Sequence, residues 1–271
     1  MHTDPLAGGV FYHWFMREIW DHPFGYSLLK IERANQHIAE IEQRLRIAAH
    51  NHGPSVHLDS QTGEKYLYCA HTDWKLAADV ALCVGDAIHN IHSALDIAWV
   101  EIVRKLSPKG PNKWTRFPID PEGTREKLES TLTKSAEIPR SHPVCDLILD
   151  GVKPYKGGDT DILLINSLDI DDKHELLIPL VTIAAVMGIE LEHEDGRRII
   201  TDIVLLRREN YRRVIPLDCK IKNQGEASIH VSFSGVEGLK AEIVPTLTRW
   251  AGKGERIIRR LQRLPFSDLA T

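Results

Sequence analysis

One long apolar stripe constrains this chain more than any other feature. Leu76, Val80, Val84, Ala87, Ile88, Ile91, Leu95, Ala98 and Ile102 recur at spacings of three and four, which is the repeat of an amphipathic helix. Asp73 suits its N-cap, and Ser107-Pro108 followed by Gly110-Pro111 ends it, because proline cannot continue the hydrogen-bond ladder. A helix over 73–106 must cover this stripe, with another helix of the chain or with its own copy in a dimer. The first candidate runs from Tyr26 to His50, where Leu28, Ile31, Ala34, Ile38, Ile41, Leu45 and Ala48 repeat the pattern and Asn51-His52-Gly53-Pro54 stops it. Ahead of it Phe11, Tyr12, Trp14, Phe15, Trp20 and Phe24 crowd one segment, which reads as an arm docked on a core or a partner.

The remainder changes character. Residues 111–160 are irregular apart from a helix near Thr124 to Thr133. The apolar run Leu176 to Ile189 is 14 residues, short of the roughly 20 of a spanning helix, and contains Pro179, so it reads as a buried strand or short helix, not a membrane segment. Alternating, β-branched stretches at Arg198–Leu206, Tyr211–Leu217 and Ala227–Phe233 predict antiparallel strands. Helical spacing returns from Leu239 to Leu264, with Gly252 and Gly254 expected to bend or interrupt it. The expected fold is α+β: an N-terminal antiparallel helical hairpin or bundle, then a C-terminal antiparallel sheet and a terminal helix. Its segments are 1–110, 111–190 and 191–271, within one compact domain.

Composition narrows the setting. Cys69, Cys83, Cys145 and Cys219 form no CxxC pair, so zinc-ribbon and disulfide frameworks lose support and reduced, buried thiols in a cytoplasmic protein are expected. The opening residues lack a basic and then apolar secretory pattern. Charge is uneven: residues 197–263 carry 15 Lys and Arg against 7 Asp and Glu, whereas residues 1–196 carry 19 against 30. The two parts attract each other, and the basic one also suits an anionic partner. Phosphate-binding loops, dinucleotide fingerprints, serine-hydrolase elbows and HExxH helices do not occur.

Three places carry candidate chemistry. In GDAIHNIHSALDIAW, at about 100° per residue, His89, His92 and Asp96 share one polar face beside Asp86 and Ser93. Two imidazoles and a carboxylate there suit a divalent metal such as zinc or manganese, or an acid–base pair; a polar helix–helix contact is the plain alternative. In NSLDIDDKHELL, Asp169, Asp171, Asp172 and His174 could bind a cation or bring His174 to the first cluster, against the simpler expectation that Asp171 or Asp172 caps a helix beginning at KHELL. In the last helix Arg249, Lys253, Arg256, Arg260 and Arg263 line one face, as a phosphate backbone or the chain's own acidic part would require.

The block GDAIHNIHSALDIAW, with KIERANQHIAEIE before it and FPID and LDIDDKHELL after it, resembles a bacterial protein family of no established activity whose long helix reads approximately GD-x-[IL]-HNLRSALDHLAW. That helix looks like the short arginine–histidine pattern of HEPN-type helical ribonucleases and RNA-binding toxins. The resemblance implies a helical dimer whose arginine and histidine act on a scissile phosphate. Here His92 and Ile97 stand at those two positions, while Asn90 and Asp96 match the flanking polar ones. The implied function is a HEPN-like, catalytically degenerate helical module that binds RNA or a protein partner as a homodimer, without a cofactor, with His92, Asp96 and Asn90 as its site. Two other readings stay open: a metal-dependent hydrolase or nuclease using His89, His92, Asp96 and His174, and a structural or regulatory module without a catalytic site.

Overall fold

The structure, a computed structural model, describes residues 24–51, 54–70, 74–174, 179–204, 211–233 and 242–266, with the backbone alone at Trp74 and over 173–184. The aromatic arm before Phe24, the cap at Asp73 and the helix stop at His52-Gly53 lie outside the described residues. The architecture is α+β, with the two N-terminal helices packed together, antiparallel sheets and a terminal helix. Helices α1 (Gly25–Asn51) and α2 (Trp74–Leu106) carry the two predicted stripes. Every α2 residue of the stripe is buried, from Leu76 to Ile102, and so are Ile31, Ala34, Ile38, Ile41 and Ala48 of α1.

The chain divides into two compact units, 1–36 with 85–174 and 247–271, and 37–84 with 175–246. The first is helical. After α2 come α3 (Arg125–Ser130), α4 (Pro143–Asp146) and α5 (Thr160–His174), with π-helical turns at Thr131–Ser135 and Leu147–Val152. The Thr124 hydroxyl caps α3 by accepting from Lys127 N, and Asp159 caps α5 by accepting from the amides of Asp161 and Ile162. Expected caps at Asp171 and Asp172 are therefore overturned: both lie in the last turn of α5, because the helix starts a full three turns earlier than KHELL suggests. The terminal helix, α6 (Ile243–Gln262), runs unbroken through Gly252 and Gly254. Gly254 does not interrupt the helix but lets it approach its neighbours: a Cβ there would sit 3.1 Å from Ile31 Cδ1 and 3.5 Å from Ile91 Cγ2.

The second unit contains the sheets. Strand β2 (Lys65–Cys69) lies between β1 (Ser55–Leu58) and β5 (Tyr211–Ile215). The apolar run is the 15-residue strand β3 (Pro179–His193). It pairs along one edge with β4 (Arg198–Val204), and along the other first with β7 (Glu226–Phe233) and then with β6 (Cys219–Asn223). All these pairings are antiparallel. Leu67, Val186, Ile189, Leu191, Ile203 and Ile215 make a common core between the two sheets. All four cysteines are free and buried, and burial pushes the Cys69 thiol up to about 11.

The β6–β7 hairpin turns at Gly225, whose φ is +73° and whose Cβ would fall 2.2 Å from the carbonyl oxygen of Met187. Both facts forbid a side chain. Gly225→Ala is expected to cost roughly 2 kcal/mol or more, read as a lower urea midpoint at unchanged m-value; an unchanged midpoint would contradict the β3–β7 register.

Candidate functional site

Residues of two helices make the site, and all of these residues belong to the helical unit. About two turns of α2 present His89, His92, Ser93 and Asp96, and α5 presents Asn166 and Asp169 three residues apart on one face. Asp169 is 1% exposed. A carboxylate so far from water must have charged or hydrogen-bonding partners, and it has an imidazole at each oxygen. His89 Nδ1 lies 2.8 Å from Oδ1, and His92 Nδ1 lies 3.1 Å from Oδ2.

The two rings then differ. His92 is buried, and its Nε2 lies 3.2 Å from Asn166 Oδ1, while Asp96 Oδ2 stands 3.8 Å from its Nδ1. Acceptors at both nitrogens suit a doubly protonated ring. Burial alone would lower the pKa of His92, but the hydrogen bond to Asp169, the charges of Asp96 and Asp169 and the bond to Asn166 together leave it raised. His92 as imidazolium thus balances the buried Asp169 charge. His89, by contrast, has a half-exposed side chain. An ionised carboxylate only accepts, so the proton of a neutral His89 resides on Nδ1 and leaves Nε2 as a bare acceptor. Ser93 Oγ lies 3.3 Å from that Nε2. A hydroxyl, an imidazole and a buried carboxylate are therefore connected in sequence.

The surroundings are acidic. Asp86 is exposed one turn before His89, Asp171 is exposed on α5, and the Asp172 carboxylate packs over Gly85, where a Cβ would lie 2.3 Å from Oδ2. Asp96 also accepts from Phe117 N at 2.8 Å, which fixes the chain after α2 to this face. Asn90 Oδ1 accepts from Lys30 Nζ at 3.1 Å and its amide donates to Asp86 O at 2.7 Å, joining α1 to α2. Of the proposed metal ligands, His89, His92 and Asp96 come together, whereas the side chain of His174 lies outside the described residues. Among the described residues, ligand atoms of three His, Cys, Asp or Glu side chains come within 4.8 Å of one another at two places, neither of them this one.

The basic face of α6 is largely spoken for at its start. Arg249 donates to both oxygens of Asp161, at 2.9 and 3.3 Å. Lys253 donates to Asp159 at 2.8 Å and to Asp161 at 2.7 Å, and the buried Trp250 Nε1 donates to Asp161 at 2.9 Å. Burial would raise the Asp161 pKa, but the bonds from Arg249, Lys253 and Trp250 hold it far below the ordinary carboxylate range. Arg256, Arg260 and Arg263 are exposed and make no ion pair among the described residues. Arg260 lies beside Gly151, and Arg260 and Arg263 line an open cleft shared with Asp146 and Asp150.

Sequence reading missed the central position of Asp169 and the roles of Ser93 and Asn166. The signal was the three-residue spacing of Asn166 and Asp169, hidden because Ile162, Leu163, Leu164 and Ile165 run together and give α5 no clear stripe. No family model, curated protein or solved structure matches the chain. The chemistry of this face accordingly rests on its own atoms.

Two outcomes are expected. A proton-NMR titration should place the His92 midpoint above 6.5, and Asp169→Asn should bring it down. Because the folded value lies above the unfolded one, the stability from His92 is complete below that pH and fades as pH rises through the folded value. Asp161 behaves oppositely: its contribution is present above the unfolded value of 3.8 and is lost as pH falls. Asp161→Ala, which removes the acceptor shared by Arg249, Trp250 and Lys253 but leaves Lys253 its bonds to Asp159, should cost roughly 1–3 kcal/mol in chemical denaturation at neutral pH.

Proposed function

We propose that the chain is a hydrolase whose acid–base residue is His89, oriented by Asp169, and whose nucleophilic hydroxyl is that of Ser93. The observation that carries this reading is the continuous connection from Ser93 Oγ through the two nitrogens of His89 to a carboxylate that is 1% exposed. A weakly acidic hydroxyl attacks only if a base takes its proton in the transition state, and an imidazole with its far nitrogen held by a buried carboxylate is that base. The 3.3 Å separation is loose, as such contacts commonly are before substrate binds. His92 contributes indirectly, by neutralising the second oxygen of Asp169 so that the carboxylate stays ionised while buried. His89 is half exposed, which gives a substrate access.

Charge selects the substrate class. With Asp86 one turn before His89, Asp96 beside His92 and Asp172 over Gly85, a polyanion such as RNA is repelled, and a neutral or cationic ester or amide is favoured. The HEPN-like reading, an RNA-binding or protein-binding homodimer, is supported by the pattern around Asn90, His92 and Asp96 and by the arginine stripe. Two members of that stripe, Arg249 and Lys253, are engaged by Asp159 and Asp161, so the hydrolase reading has more behind it. No helix among the described residues is long and apolar enough to cross a bilayer.

The test is hydrolysis of neutral and cationic p-nitrophenyl esters, together with labelling by a fluorophosphonate. Ser93→Ala, His89→Ala and Asp169→Asn should each lower kcat/KM by about 100-fold or more, and the label should map to Ser93. A folded wild-type chain that neither turns over the esters nor takes the label would overturn the reading.

A further inference from the structure

A second cluster lies in the other unit, away from any residue used above. On α1, His37 and Glu40 are three apart and so share a face; Cys83 comes from α2. Their ligand atoms all lie within 4.8 Å of one another. His37 Nδ1 is 3.4 Å from Glu40 Oε2, and Cys83 Sγ is 3.5 Å from the same oxygen. These are the edges of a metal tetrahedron. With bonds of about 2.0 Å to nitrogen and oxygen and about 2.3 Å to sulfur, a tetrahedral zinc site has N···O edges of about 3.3 Å and S···O edges of about 3.5 Å.

An independent observation points the same way. His37 is 6% exposed, and its Nδ1 is buried with no hydrogen-bond partner. Orphaned buried nitrogens are uncommon and need a reason; this one stands 3.4 Å from the Glu40 oxygen that accepts a hydrogen bond from Cys83 Sγ, so one ion could be shared by all three residues. Cys83 is likewise buried, whereas the Glu40 side chain is about half exposed, so water can reach one side of the cluster.

We propose that His37, Glu40 and Cys83 bind a single zinc-type divalent ion, with water in the fourth position. One imidazole, one carboxylate and one thiolate offer mixed nitrogen, oxygen and sulfur donors, which favour zinc over calcium or magnesium. Binding releases the thiol proton, and the thiolate and carboxylate charges together cancel that of the ion. Arg44 is the cation that faces the Cys83 thiol; it is exposed on a long side chain and can give up that place. A comparable group, His193, Asp218 and Cys219, is weaker, because Asp218 Oδ2 already sits 3.1 Å from His193 Nδ1.

The experiment is titration of the reduced, chelator-free full chain with cobalt(II) alone. The expected result is uptake of one equivalent with a thiolate-to-cobalt charge-transfer band in the near ultraviolet, bleached by added zinc. Cys83→Ser should abolish the band, and Glu40→Gln, which alters only a half-exposed side chain, should weaken affinity about 10-fold or more. His89→Ala should leave both unchanged, which separates this site from the hydrolase face. A folded wild-type chain without the band, or a band that survives in Cys83→Ser, would overturn the proposal.

Discussion

A carboxylate withdrawn from water has to be answered by donors, and helix α5 carries two of them. Near its start Asp161 takes bonds from Arg249, Trp250 and Lys253 of α6; two turns on, Asp169 takes an imidazole of α2 at each oxygen. Apolar burial between the helices of this unit is non-directional and would tolerate a slipped or rotated α5. These bonds do not tolerate it, since a rotation of one residue would strand a buried charge at a cost of several kcal/mol. The position of α5 against α2 and α6 is thereby fixed by electrostatics as much as by packing, and the polar face of α2 acquires its geometry as a consequence.

The same constraint produces two different histidines from one helix. His92 is enclosed and faces acceptors on both sides, so its charged form is favoured as a counter-charge to Asp169. His89 is partly in water, with Asp169 at Nδ1 and the Ser93 hydroxyl near Nε2. One carboxylate thus supports a structural ion pair and orients a base at the same time.

Much of the fold was readable because it follows strong periodicity. Both long helices, the strands near 198, 211 and 227 and the terminal helix have apolar residues at regular spacing, and each is close to its expected bounds. The terminal helix survived Gly252 and Gly254 because burial of Trp250, Ile257, Ile258 and Leu261 on its core side outweighs the roughly 1 kcal/mol cost of each glycine. Helix α5 was illegible: four consecutive apolar residues mask its period, Asp171 and Asp172 look like caps although they lie in its last turn, and Asp161 and Asp169 are bonded to other helices. Of the candidate site, His89, His92 and Asp96 could be seen on one face from spacing alone. Their common partner could not, because tertiary pairing at a separation of about 80 residues leaves no local pattern, and the same is true of Cys83 beside His37 and Glu40.

What matters most is whether Asp169 is ionised and holds the proton of His89 on Nδ1. The nitrogen-15 shifts and one-bond couplings of the labelled imidazole report that tautomer directly. In the neutral form of His89 the arrangement requires the proton on Nδ1 with Nε2 bare toward Ser93, and Asp169→Asn should erase that preference. A His89 found predominantly as the Nε2–H tautomer would mean that the carboxylate does not hold it, and the proposed proton path from Ser93 would have no base.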